Sequence, residues 1–102
     1  MLTELKLAMR ISTTVFDAEL LGLIAAAIAD IKHAGARFDA SPTETDGAIT
    51  DYTIADPLVK RAVITYCRAN FGSPQDYDRL KASYDEQKGQ LRESLAYGME
   101  VL

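Results

Sequence analysis

The chain has 102 residues, of which 48% are hydrophobic and 25% charged, with 6 Gly and 3 Pro, so it fits one globular domain and not a disordered or collagen-like class. Eleven Lys+Arg against fifteen Asp+Glu give a net charge of −4, which repels phosphates at long range and argues against a protein that grips nucleic acid. The one Cys cannot form an intrachain disulfide, so the fold has to stand on its core.

Thr3 is placed to cap a first short helix, about Glu4 to Arg10, with Leu5, Leu7, Ala8 and Ile11 as its apolar residues. Nothing in MLTELKLAMRI reads as a signal peptide. The turn-favouring Ser12-Thr13-Thr14 interrupts the pattern. Asp17 is the expected N-cap of a second helix that runs to about Ala34. Leu20, Leu21, Ile24, Ala27, Ile28 and Ile31 recur in it at spacings of three and four. Its apolar run from Leu20 to Ala29 is far short of the roughly 20 residues that a bilayer span needs. Gly35 is the expected C-terminal stop.

From Ala36 to Ala55 the helical period disappears, and Ser41-Pro42-Thr43 and Asp46-Gly47 mark turns. The expectation here is a long loop, with Ala48, Thr50, Tyr52 and Ile54 able to line one side of a short extended stretch. Loops of that length are mostly functional or disordered. Phe38, Ile49, Tyr52 and Ile54 lie within it, and an isolated small subunit has few places to bury all four. The segment is therefore expected to be mobile in the free chain and ordered by a neighbour.

Asp56-Pro57 opens a third helix, with Leu58, Val59, Ala62, Val63, Tyr66 and Asn70 along one side. Gly72 is expected to end it, and Ser73-Pro74 starts a fourth that reaches about Ala96. Tyr77, Leu80, Tyr84, Lys88, Leu91 and Leu95 form that helix's stripe. The end of the chain, Tyr97 to Leu102, is apolar for a terminus. The fold class expected is all-α: a small bundle of about four helices in a single domain spanning 1–102, with a long loop at 36–55 and an apolar tail at 97–102.

Chemistry is sparse. Cys67 lies mid-helix beside the apolar stripe and reads as a small buried hydrophobe, not a nucleophile. His33, in the last turn of the second helix, favours the negative end of the helix dipole. Asp39, Glu44, Asp46 and Asp51 make an acidic loop, but the alternating oxygen ligands and terminal Glu of a calcium loop are missing. The basic face Lys60-Arg61 with Arg68 reads as solvated or partner-facing. A helix-turn-helix reading fails because the following helix opens with Asp76 and Asp78. No catalytic residue, cofactor or metal is expected.

The run Asp56-Pro57-Leu58-Val59-Lys60-Arg61-Ala62, then Tyr66, Asn70-Phe71-Gly72, Tyr77-Asp78-Arg79-Leu80 and Tyr84, resembles the head–tail connector (adaptor) proteins of long-tailed bacteriophages. So does the opening, Leu7-Ala8-Met9-Arg10-Ile11, a Thr-rich turn, and Asp17-Ala18-Glu19-Leu20-Leu21 leading an Ala-rich helix. The resemblance implies a non-catalytic subunit of a twelvefold ring beneath the portal vertex. Such a ring extends the DNA channel and docks the next connector or tail protein. DNA would only pass through it, no membrane is involved, and the protein would reside at the head–tail junction of the virion. Two other classes stay open: a small helical interaction or regulatory module of phage or plasmid origin, and a small enzyme using Cys67.

The family carries no short binding motif, so interface candidates come from the physics of the residues. They are Arg37, Phe38, Ile49, Asp51, Tyr52 and Ile54 in the long segment, Lys60 and Arg61 on the third helix, and Tyr97, Met99, Val101 and Leu102 in the tail.

Overall fold

Four helices and one β-hairpin follow one another along the chain in a computed structural model that describes residues 1–72 and 74–96, the last two by backbone alone. The elements are α1 (Leu2–Met9), α2 (Asp17–His33), β1 (Ala40–Thr45), β2 (Ala48–Ile54), α3 (Pro57–Asn70) and α4 (Tyr77–Ala96). The expected tail residues Tyr97, Met99, Val101 and Leu102 lie outside the described residues.

The hairpin overturns the all-α expectation: the fold mixes helices with a two-stranded antiparallel sheet. Asp46-Gly47 is the whole connection between its strands. Asp46 has φ 53° and Gly47 φ 80°. A two-residue loop with both residues at positive φ has the twist that antiparallel strands require, and Asp-Gly is among the sequences that tolerate it best. What reads as one turn signal within a loop is the pivot of a sheet. Pairing runs from Ala40↔Ile54 to Thr43↔Asp51, then shifts by one residue to Glu44↔Ile49 and Thr45↔Ala48. That bulge and the short polar side chains of β1 hide the period-two pattern. Pro42 is tolerated because each strand has only one partner.

The helix ends follow local chemistry. Asp56 Oδ1 accepts from the N–H groups of Leu58 (2.8 Å) and Val59 (3.4 Å), and Pro57 occupies the first helical position. At the end of α2, the Gly35 N–H donates to the Lys32 carbonyl (3.0 Å) and the Ala36 N–H to that of Ile31 (3.4 Å). Gly35 sits at φ 113°, which completes a left-handed cap. Asp17 is the first residue of α2 and not its cap. Its carboxylate takes the Lys6 ammonium at 2.8 Å, tying α1 to α2.

The core forms where α2, α3 and α4 meet, with α1 and the base of the hairpin closing it. Leu5, Leu20, Ile24, Ile31, Val59, Val63 and Cys67 are fully buried, with Tyr84 and Leu91 from α4. Leu7, expected on the apolar side of α1, is 75% exposed. Leu58, expected on the apolar side of α3, is 55% exposed, and its neighbour Val59 is the buried one.

Candidate assembly surface

The hairpin has a buried base and an exposed tip. Ile54 is 2% exposed, and Phe38, Ala40 and Tyr52 pack against the core while partly open. The subunit therefore packs three of the four large apolar residues of the 36–55 segment against its own core, two of them only in part. Only Ile49, at 44% exposed, is left toward solvent. Asp51 is engaged too. Its Oδ1 accepts from the Leu2 N–H (2.9 Å) and the Tyr52 N–H (2.7 Å), and it lies 3.3 Å from the Met1 amine. Burial alone would raise this carboxyl's pKa. The two donated N–H bonds and the nearby amine more than offset that and hold it below the ordinary value.

Beyond Asp51 the hairpin is solvated on both sides, from Ser41 to Thr50. Glu44 and Ile49 are directly opposite across the strands, so they share one face of the tip. Asp46 stands at the turn beside them.

A second surface lies where α2 runs into β1. Lys32, Ala36, Arg37, Phe38 and Asp39 line an open, mostly apolar groove of about 490 Å³. The Lys32 ammonium sits 5.3 Å from the centre of the Phe38 ring, within cation–π range. Arg92 of α4 crosses close over Gly35, where an added Cβ would meet its Cγ at 3.4 Å. Lys32, in the last turn of α2, and Arg92, over Gly35, thus lie near the carbonyl end of α2, where the helix dipole favours cations.

The third candidate surface divides. Lys60 is spent on Glu4 of α1 at 3.1 Å, and its ammonium holds the Glu4 carboxyl below the ordinary range. Arg61 remains exposed and lines a small cleft with Leu58, Gln87, Gln90, Leu91 and Ser94. Gln87 Oε1 is buried there without a hydrogen-bond partner.

Some exposed apolar residues escape a sequence reading. Val15 is 78% exposed in the turn before α2, and Phe16 stands edge-on to Phe71 at 5.2 Å. The Ser12-Thr13-Thr14 break signals the turn but not which way its apolar residues face.

Cys67 is completely buried, and loss of solvation pushes its thiol up to about 12. A thiol held protonated in a helix interior is no nucleophile. His33 is exposed in the last turn of α2. Among the described residues no three His, Cys, Asp or Glu side chains come together as metal ligands, and no helix is long and apolar enough to cross a membrane.

What remains is a helical body with an exposed hairpin tip that carries Glu44 and Asp46, a groove lined by Lys32 and Arg37, and scattered exposed apolar residues. The family comparison says which class of protein carries them. Residues 1–98 match the model of the phage connector proteins, and the chain belongs to that family. It is a family of structural proteins, so the chain is a structural connector that works with other phage structural proteins. No curated protein and no solved structure gives a significant match.

Proposed function

We propose that this protein forms a ring between the portal and the tail of a long-tailed phage, extends the DNA channel, and presents a docking surface for the next connector or tail protein. The observation that carries this reading is the family match over residues 1–98. The net charge of −4 supports it as well: a wall that does not attract phosphates lets DNA slide past without acting as a brake. The protein performs no catalysis in this role, and its buried Cys67 fits that. Subunits meet head to tail around a closed rotation, twelve to the ring. The ring is carried in the virion after synthesis in the host cytoplasm.

Electron microscopy of purified portal rings with and without this protein tests the reading. Added ring density on the tail-facing side of the portal is the expected result. Portal rings that look the same after incubation with excess protein would overturn it.

A further inference from the structure

We propose that the Glu44–Ile49 tip of the hairpin docks in the Lys32–Phe38 groove of a second copy of the chain, head to tail, so that each subunit offers an acidic finger at one place and a basic socket at another. The inference rests on the ring reading above and names the contact that closes it.

Charge complementarity carries the argument. From Phe38 to Val59 the sequence contains no Lys, Arg or His, but five acids: Asp39, Glu44, Asp46, Asp51 and Asp56. Asp51 is held by the start of α1 and Asp56 by the start of α3. Glu44 and Asp46 remain at the exposed tip and form no ion pair among the described residues. The socket has the opposite sign. Lys32 on the groove and Arg92, which crosses Gly35 beside it, likewise form no ion pair among the described residues, and Asp39 is the one acid among the groove's lining residues.

Apolar complementarity points the same way. Ile49 shares its face with Glu44, and the groove floor is Phe38 with Ala36. The tip therefore offers one aliphatic side chain flanked by carboxylates to an aromatic floor flanked by cations. A chain cannot make this contact with itself. The six residues of β1 rise about 3.3 Å each, which puts the tip roughly 20 Å from the hairpin base beside the groove. Paired strands do not fold back on their own root. Finger and socket on different parts of one copy make a heterologous contact, which closes into a ring when its rotation allows.

The test uses two charge-altered chains. The finger variant is Glu44→Arg with Asp46→Asn; Asn tolerates the positive φ of the turn. The socket variant is Lys32→Glu with Arg92→Glu, backed by Arg92→Glu alone in case the change at the end of α2 disturbs folding; circular dichroism melts check each chain.

Sedimentation velocity at low salt is expected to show wild-type association that weakens as salt screens the contact. Each variant alone should associate about tenfold or more weakly, since like charges then meet. An equimolar mixture of the two should regain association, because each variant's finger then meets a socket of opposite charge. A mixture that stays as dissociated as its components overturns the docking, as does wild-type-like association of either variant alone. Loss of duplex DNA binding in the socket variant with unchanged self-association overturns it in favour of a phosphate contact. Portal-bound rings from both variants by electron microscopy would sink the docking and leave the ring reading standing. No ring from the wild type would sink both.

Discussion

The Tyr84 hydroxyl donates a 2.6 Å hydrogen bond to Asp30, joining the middle of α4 to the last turns of α2. Lys88 reaches the same carboxylate oxygen at 3.0 Å and lies 5.2 Å from the Tyr84 ring centre. Tyr66 of α3 stands edge-on to Tyr84 at 5.1 Å. Three helices are thus tied at one half-buried point. It explains the one polar residue in the α4 stripe: Lys88 faces the core side because an acid waits there.

The tie has a pH signature. The Tyr84 hydrogen bond, reinforced by Lys88, lowers the Asp30 carboxyl's pKa despite the desolvation that opposes it. A carboxyl lowered in the fold adds stability above its unfolded value, near 3.9, and that stability is lost as pH falls through the folded value. Burial, aided by the bond to Asp30, raises the Tyr84 pKa, so its contribution is complete below about pH 10 and is lost as pH climbs past it. Tyr84→Phe should cost about 1 kcal/mol at neutral pH, discounted because Asp30 is partly solvated. It should also flatten the acid limb and remove the Tyr84 part of the alkaline limb. Urea melts from pH 3 to pH 11 on both proteins check this; identical profiles would mean that the bond contributes nothing.

Ile54 and Ile49 lie on the same strand with opposite duties. Ile54→Ser should destabilise the subunit by about 3 kcal/mol, because it empties a core site and buries a hydroxyl. Ile49→Ser should change the monomer's stability by less than about 0.5 kcal/mol. Thermal and urea melts of the monomers measure both, and equal effects would contradict the division of the hairpin into base and tip.

The helices were legible because their signals are local and redundant. Asp56-Pro57 at the start of α3, Gly35 after α2, and the Leu20–Ile31 spacing each point to the element that forms. The hairpin was not, although Asp46-Gly47 stood in plain view. Its strands alternate poorly because Ser41, Pro42, Thr43 and Thr45 bring no apolar residue to either face, and the bulge beyond Thr43 shifts the period. The candidate surface was legible in part. Composition picks out exposed Ile49 and Arg61, but no pattern in the sequence says that Ile54 is taken by the core, Asp51 by the start of α1, or Lys60 by Glu4. Those are contacts between distant parts of the chain.

The hairpin turn offers a local test. Gly47 holds φ 80°, where an L side chain is strained although there is open space for one. Gly47→Ala should cost about 1 kcal/mol, and hydrogen exchange should quicken in β1 and β2 while the amides of α2 and α3 keep their protection. Equal acceleration throughout would mean that the hairpin and the helices open as one unit.

Cys67 provides the last prediction, and it bears on the absence of catalysis. Its thiol is fully buried and pushed up to about 12, so at pH 8 almost none is thiolate. A disulfide-exchange reagent should therefore react with the folded chain orders of magnitude more slowly than with the chain in denaturant, at a rate set by opening of the fold. Cys67→Ser should cost about 1–2 kcal/mol, the price of a hydroxyl buried in the hydrophobic core. Phage assembly complemented with the mutant gene should proceed normally wherever the protein still folds. A folded Cys67→Ser chain that blocks assembly, or a thiol that reacts in the native state as fast as a free one, would show that Cys67 has chemistry to do.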